Sequence, residues 1–196
     1  MRAAGRARPR PLQARKSSGV LKRCTASLVV LTSVVTGTGA HCHVPPVANQ
    51  DQQAMLRSSD ARLARNKRTV FDWWRIVFEG GHMEQAAQFM AESYVQHNPN
   101  IASGRSAFVE FFGKVRPPRP VGSRINAPVV AITAEGNIVT ISTLRRLRDP
   151  ADPEHLYDIT WFDMFRIDSQ GRIAEHWDPS ALWIEGKPPG AEFLPR

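Results

Sequence analysis

The chain has 196 residues, and its 26 basic and 18 acidic residues give a formal net charge of +8. Such a charge would by itself favour a nucleic acid or an anionic membrane as partner. Eight of the basic residues and none of the acidic ones lie before residue 41, so the remaining 18 basic and 18 acidic residues balance. The excess charge belongs to the N-terminal segment, and we therefore expect no nucleic-acid partner.

Residues 1–40 have the pattern of a secretory signal peptide. Basic residues up to Arg23 precede an uncharged run from 24 to 40 that ends in small residues. The apolar part of this run is shorter than the ~20 residues that a stable membrane span needs. We predict export to the periplasm or the cell exterior, with cleavage near Ala40. The alternative is a cytoplasmic protein with a disordered basic N-terminal arm.

The residues after this leader divide into a linker, one domain and a tail. Residues 41–51 contain a proline pair and polar residues, and are predicted to be a linker. Residues 52–185 are the size of one domain with its own core, and residues 186–196 form a tail rich in proline and glycine. Only Cys42 remains once the leader is removed, so no disulfide within the chain is expected.

Helical periodicity dominates the first half of the predicted domain. Apolar residues at i, i+1, i+4, i+7 and i+8 from Val70 mark one face of a helix predicted over 52–79, which ends at Gly80 and Gly81. A second helix is predicted over 83–90 and a third over 105–115. Their aromatic residues are expected to belong to the core.

Strand-like alternation replaces this pattern after Ser123. Strands are predicted over 125–134 and 138–147, joined by a hairpin turn at 135–137. A second hairpin joins a strand over 158–167 to one beginning at Ile173, through a turn in which Gly171 needs a positive φ. Helices followed by antiparallel strands favour an α+β domain. We expect about three N-terminal helices to cover a curved antiparallel sheet and to leave a conical cavity.

The second hairpin carries the best candidates for chemistry. Strand alternation places Trp161, Asp163 and Phe165 on one face of its first strand, and His176 and Asp178 on one face of its second strand. Two carboxylates and a histidine on neighbouring strands, set among aromatic rings, are suited to acid/base chemistry in a pocket.

Each candidate also has a structural alternative. Asp178 precedes Pro179 and could serve only the turn that ends the strand. Asp163 could pair with an arginine of its own hairpin, Arg166 or Arg172, and His176 could be a hydrogen-bonded core residue. A further candidate, His97 in the segment 94–99, could point into the cavity or bond within its own turn. These alternatives stay open at the level of the sequence.

Four motifs follow one another in an order typical of one family. They are YVQHNP at 94–99, the phenylalanines of 108–112, DMFR at 163–166 and GRIAEHWD at 171–178. Together they resemble the SnoaL-like proteins of the nuclear transport factor 2-like superfamily, over roughly 69–181. The resemblance is closest to the branch described as aldol-condensation enzymes. It implies a cystatin-like α+β barrel, a cone of bent antiparallel sheet packed against three helices.

The resemblance also implies a function and its residues. In the polyketide cyclase of this family, the aspartate after the motif that matches 175–177 is the general acid/base, and that role falls here on Asp178. The chain would then be a cofactor-independent cyclase or isomerase that removes a proton α to a carbonyl of a small apolar ligand. Neither a metal ion nor an organic cofactor is implied. Asp163 and His97 are the other catalytic candidates, and substrate contacts are expected from Tyr94, Phe112, Trp161, His176 and Trp177.

Two further expectations concern partners. The same cavity could bind a small molecule without chemistry, in an exported binding domain, because one fold supports many functions. The strand predicted over 158–167 is apolar on both faces, with Phe162 and Met164 on the side opposite Trp161 and Phe165. The second face needs cover, and we predict a homodimer.

Overall fold

The computed structural model describes residues 44–149, 151–152 and 154–183. The leader predicted at 1–40 and the tail predicted at 186–196 lie outside these ranges. Residues 44–51 of the predicted linker form neither helix nor strand. Among the described residues, no helix is long and apolar enough to cross a membrane.

The first helical region is divided by a capping aspartate. It forms α1, Gln52–Met55, and α2, Ala61–Trp73, which continues as a π-helical turn, Trp74–Phe78. The single helix predicted over 52–79 is therefore wrong at residues 56–60. The carboxylate of Asp60 accepts hydrogen bonds from the backbone N–H groups of Arg62 (2.7 Å) and Leu63 (3.3 Å). These contacts begin a new helix after the turn.

The other two helical regions follow the prediction closely. A 3₁₀ turn, Met83–Gln85, leads into α3, Ala86–Phe89, and α4 spans Arg105–Val115 as predicted. Met90, predicted as the last residue of a helix, instead begins the first strand. A buried Met is compatible with either state, so the local pattern does not distinguish them.

Five strands form one curved sheet that does not close. The strands are β1, Met90–Gln96; β2, Val129–Glu135; β3, Ile138–Arg148; β4, Leu156–Ile167; and β5, Ile173–Trp177. Their order across the sheet is β1-β5-β4-β3-β2. Both predicted hairpin turns are present, and Gly171 has a φ of 76°. The predicted α+β class and helix-covered sheet are confirmed.

Two details of the sheet differ from the prediction. β1 pairs with β5 in parallel, whereas the other neighbours are antiparallel as expected. β2 begins at Val129 rather than at residue 125, because the preceding backbone N–H groups bond to helix side chains. Ile125 N–H donates to Gln52 Oε1 (2.9 Å), and the next two N–H groups donate to the carboxylate of Glu79.

The core lies between the concave face of the sheet and α2. The ring of Trp73 stacks on Phe78, with 5.6 Å between centroids, and meets Phe165 of β4 edge-on at 5.3 Å. Phe108 of α4 completes this cluster. The aromatic stripe predicted from helical periodicity therefore belongs to the core, and part of it forms the wall of a cavity.

Candidate functional site

A cavity of about 1170 Å³ lies between the helices and the sheet. Its volume is suited to a small organic ligand. Aromatic side chains from α2, α4 and the strands form much of its wall. They are Trp73, Trp74, Phe78, Tyr94, Phe108, Phe111, Phe112, Trp161, Phe165 and Trp183. Three predicted substrate contacts, Tyr94, Phe112 and Trp161, are thus placed at the cavity.

Three titratable side chains meet in this cavity. Asp163 lies on β4, His176 on β5 and Asp178 directly after β5, and one ligand atom of each lies within 4.8 Å of the others. Phe165 is paired with His176 across the two strands. Because alternate residues of a strand share a face, Asp163 comes to lie beside the imidazole. Alternation placed Asp163 on one face of its strand and His176 with Asp178 on one face of the next, and the pairing of the two strands brings all three together.

His176 is held between two strands. Its Nε2 lies 3.2 Å from Asp163 Oδ1, and its Nδ1 lies 2.9 Å from Gln96 Oε1. The parallel pairing of β1 with β5 places Gln96 directly opposite His176. The histidine is thus hydrogen-bonded and also faces the cavity. It is both a buried, hydrogen-bonded residue and a pocket residue, the two alternatives given for it from the sequence.

Asp178 is oriented by an asparagine and by its own turn. The Nδ2 group of Asn98 donates to Asp178 Oδ1 (3.2 Å) and Oδ2 (2.9 Å), and Ser180 N–H donates to Oδ1 (2.9 Å). Asn98 Oδ1 accepts from the backbone N–H of Asn100 (2.9 Å), which identifies the end of the amide that faces Asp178. The turn before Pro179 therefore aims the carboxylate at the cavity.

Arg145 of β3 brings a positive charge beside this cluster. Its guanidinium lies over the ring of Trp161, 3.6 Å from the centroid, and 4.0 Å from Asp163 Oδ2. Burial lowers the pKa of Arg145 to about 10, while Asp163 and Asp178 act in the opposite direction. Arg145 remains a cation at neutral pH and offsets part of the negative charge of the two carboxylates.

Tyr94 contributes a hydroxyl group. Its side chain is fully buried, and its oxygen accepts a hydrogen bond from Gln96 Nε2 (3.0 Å). Burial raises the pKa of Tyr94 far above its ordinary value, and the charges of Asp178 and Asp163 raise it further. The hydroxyl therefore keeps its proton at neutral pH and can donate it to a hydrogen bond.

Three buried polar atoms make no hydrogen bond with the described part of the chain. They are Trp73 Nε1, Trp161 Nε1 and Asp163 Oδ2. A buried polar group without a partner costs about 1–3 kcal/mol. All three residues line the cavity. Two indole donors and one carboxylate acceptor are therefore available to a bound molecule or to water.

Two predicted site residues lie away from the cavity lining. The ring of His97 stacks on Trp177 with 4.7 Å between centroids, and His97 Nε2 lies 3.3 Å from Glu175 Oε2. Trp177 and Glu175 alternate with His176 and face the other side of the sheet. Neither His97 nor Trp177 lines the cavity.

The arginines of the hairpin do not pair with Asp163. Arg166 donates to Glu175 Oε1 (2.8 Å), and Arg172 lies 3.4 Å from Asp168 Oδ2. The structural alternative for Asp163 is therefore wrong, since its hydrogen-bond partner is His176. Arg166 alternates with the buried Phe165 and Ile167 of β4 and lies on the outer face.

Asp163, His176 and Asp178 are also residue types that bind divalent metal ions. Ligand atoms of one ion, each at about 2.1 Å, lie at most about 4.2 Å apart. The spread of up to 4.8 Å in this cluster would have to contract. The guanidinium of Arg145 beside Asp163 would also oppose a second cation. The geometry and charge of the cluster therefore do not favour a metal ion.

Gln96, Asn98 and Arg145 are the site residues that sequence reasoning missed. Arg145 could have been found from alternation along β3, which places it on the same face as Thr143 of the cavity wall. Gln96 and Asn98 lie inside the motif at 94–99, but their partners are about 80 residues away in the chain. No local pattern indicates such a contact.

Comparisons with solved structures find partial likeness at low identity. A proposed polyketide cyclase from Acidithiobacillus ferrooxidans is 17% identical, with a TM-score of 0.41, over 62% of this chain and 89% of that chain. IdmH from Streptomyces antibioticus, also a proposed polyketide cyclase, is 19% identical, with a TM-score of 0.40, over 58% and 89%. TerC, co-crystallised with polyporic acid, is 12% identical, with a TM-score of 0.40, over 58% and 89%.

No curated protein matches the chain. A family of sequences does match: residues 70–176 correspond to the family described as SnoaL-like domain. The match begins in α2 and ends at His176, so it includes α3, α4, the strands β1 to β4 and β5 without its last residue, while Asp178 lies just beyond it. The chain therefore belongs to the SnoaL-like domain family.

Proposed function

We propose that this chain is a cofactor-independent cyclase or isomerase of the SnoaL-like type. It would remove a proton α to a carbonyl group of a small, largely apolar ligand. One observation carries the proposal. Asp163, His176 and Asp178 converge within 4.8 Å in an aromatic-lined cavity of about 1170 Å³.

Asp178 is the best candidate for the base. Its Oδ1 accepts two hydrogen bonds, whereas Oδ2 accepts only that from Asn98 among the residues that the structure describes. A carboxylate oxygen has two lone pairs, so Oδ2 keeps one for a proton of the ligand. A base must be positioned within hydrogen-bond reach of the proton it removes, and the Asn98 amide supplies that orientation.

The enolate that forms needs donors for its oxygen. Tyr94 keeps its hydroxyl proton, and the indole N–H groups of Trp73 and Trp161 have no partner in the described part of the chain. Donors already oriented at the point where charge develops are the largest single contribution in many enzymes. Arg145 adds positive potential at the same end of the cavity. Return of the proton from Asp178 to another carbon would complete an isomerisation.

The ligand is proposed to be apolar because most of the wall is aromatic. The ring centroids of Phe108 and Phe112 lie 4.5 Å apart, and those of Phe111 and Phe112 lie 5.0 Å apart. A flat ring system would replace water against this wall. Its binding would be stabilised by about 25 cal/mol for each Å² of apolar surface removed from water. The carbonyl oxygen would then lie toward the two indole N–H donors, Trp73 Nε1 and Trp161 Nε1.

Exchange of α-protons for deuterium tests the proposal. We expect the protein to accelerate exchange at the activated carbon of 2-tetralone in D₂O, measured by mass spectrometry. Asp178→Asn removes the base and should slow the protein-dependent exchange by about 10²–10⁴-fold. Asp152→Asn, in an exposed loop, is the matched control and should exchange at the wild-type rate.

Two outcomes would contradict this assignment. Exchange at the wild-type rate by Asp178→Asn would show that another group is the base. Ligand binding without any exchange, seen as a rise in Tm with 2-tetralone, would instead favour a non-catalytic binding domain, the alternative function of this family member. The export predicted from residues 1–40 fits either function and stays a prediction.

We also propose that two copies pair through the outer face of the sheet. Phe162 of β4 is 54% exposed there, and Leu156 of the same strand is 42% exposed. Large apolar side chains on an open sheet face are typical of an interface. A two-fold interface uses the same surface on both subunits, and a second copy would present the same apolar face.

A further inference from the structure

The orientation of the Gln96 amide is determined by a backbone donor. The N–H group of Asn98 lies 3.1 Å from one end of this amide and can only donate a hydrogen bond. That end must be the carbonyl oxygen, Oε1. The other end is the NH₂ group, which donates to the hydroxyl oxygen of Tyr94 at 3.0 Å. The amide therefore has one possible orientation in this network.

This orientation determines which nitrogen of His176 carries a hydrogen. Nδ1 of His176 lies 2.9 Å from Gln96 Oε1, and that oxygen can only accept. Nδ1 must therefore be the N–H donor. A neutral imidazole has one N–H group, so Nε2 would then present a lone pair.

The lone pair would face a second acceptor. Nε2 of His176 lies 3.2 Å from Asp163 Oδ1, and both side chains are buried, with 8% and 5% of their surface exposed. Two acceptors at this distance repel each other, and little solvent reaches them. One more proton between the two atoms converts the repulsion into a hydrogen bond.

The charges around the pair favour the same proton. Arg145 lies 4.0 Å from Asp163 Oδ2, the Asp178 carboxylate belongs to the same cluster, and Tyr94 is a neutral hydroxyl. Without the extra proton, two carboxylates and one guanidinium leave this buried group with a net charge of −1. With the proton, the net charge is zero, which a desolvated environment favours.

We propose that the Asp163–His176 pair holds one proton between Oδ1 and Nε2, and that Gln96 is the positioning residue that requires it. This inference rests on the proposed function for its use. As Asp178 takes a proton from carbon, the pair delivers its proton to the ligand oxygen, and an enol forms. The enol oxygen returns its proton to the pair when Asp178 protonates the second carbon, so both groups end in their starting state.

Nitrogen NMR of the full chain, labelled with ¹⁵N-histidine and without ligand, tests the inference. We expect a protonated Nδ1 and a hydrogen-bonded Nε2 in His176 at pH 7, with both resonances assigned through their loss in His176→Asn. An unprotonated Nδ1, or an Nε2 resonance typical of a lone pair without a hydrogen bond, would overturn the inference.

Three variants test the role of Gln96. Gln96→Leu removes the acceptor, and we expect His176 to change to the Nε2–H tautomer, which donates directly to Asp163. Gln96→Glu keeps an oxygen beside Nδ1 and should keep the wild-type tautomer. Gln170→Leu, on an exposed turn, is the matched control and should change nothing. A wild-type tautomer in Gln96→Leu would contradict the role of Gln96.

The result is independent of the proposed enzymatic function. If Gln96→Leu does not fold, the wild-type protein and Gln96→Glu still test the inference, because NMR measures the tautomer of His176 directly. A protonated Nδ1 in a protein that fails to exchange α-protons would remove the proposed function and leave the pair intact. Exchange of α-protons by a protein with an unprotonated Nδ1 would remove the proton-sharing pair and leave the proposed function intact.

Discussion

Neighbouring residues of β5 have opposite surroundings. His176 faces the cavity and bonds to Asp163, whereas Glu175 faces the other side of the sheet and accepts from Arg166 Nε at 2.8 Å. His97 Nε2 lies 3.3 Å from the second carboxylate oxygen of Glu175. Alternation predicted this separation of the two side chains. It did not predict that His97 belongs with Glu175 rather than with the cavity.

Glu175 should make stability depend on pH in the acid range. Its hydrogen bond with Arg166, and then that with His97, lower the pKa of the carboxyl below its ordinary value of 4.5, against the effect of burial. The folded state therefore holds this proton less tightly than the unfolded state does. The stabilisation is present above about pH 4.5 and is lost as the pH falls through the lower, folded-state pKa.

Urea unfolding between pH 7 and pH 2.5 measures this effect. Glu175→Gln should reduce stability at pH 7 and should have a smaller effect at the acid end, where the wild-type carboxyl is protonated. Glu92→Gln, an exposed position of β1, is the control. An equal loss of stability by Glu175→Gln at both ends of the range would contradict the prediction.

At the scale of the elements, the end of the first helical region packs closely against the loop after α4. Gly81 has a φ of 73°, and a Cβ atom there would lie 2.5 Å from the carbonyl oxygen of Pro117 and 2.6 Å from that of Arg116. Glycine is required both for the backbone angle and for the close approach. The sequence predicted Gly80 and Gly81 as a helix stop, but the loop that packs on them is known only from the fold.

Gly81→Ala should therefore be much more damaging than an alanine at a similar backbone angle elsewhere. We expect a loss of at least about 3 kcal/mol in the free energy of unfolding, from the positive φ and the clash with backbone atoms. Gly171→Ala is the control, because its φ is 76° and nothing lies within 4 Å of the new Cβ atom. It should cost about 1 kcal/mol. Equal losses in urea unfolding would contradict the close approach.

The boundaries of helices and strands were harder to predict than the presence of these elements. The breaks at Asp60 and Val129 arise from hydrogen bonds that compete with a regular pattern. Asp60 is a cap that could have been recognised in the sequence. The side chains that hold residues 125–127 come from α1 and from the end of the helical region, and these contacts depend on the packed fold.

For the molecule as a whole, the outer face of the sheet is the surface that tests the proposed dimer. Phe162→Glu places a charge at the centre of the predicted interface, and burial of an unpaired charge is strongly unfavourable. We expect a wild-type dimer and a monomeric variant by light scattering at micromolar concentration, with unchanged circular dichroism. Val47→Glu, at a position that is 78% exposed before α1, should remain a dimer. A monomeric wild-type protein would end the proposal.

The sequence by itself determined the class of fold, the two hairpins, the helix over 105–115, and the grouping of His176 with Asp178 on one face of their strand. These features follow from periodicity and turn residues, which act between near neighbours in the chain. Only the tertiary structure decided that β1 lies parallel to β5, and that Gln96 and Asn98 thereby hold His176 and Asp178. The physical reason is that strand order and register are set by contacts between distant segments, and these contacts orient the polar groups of the cavity.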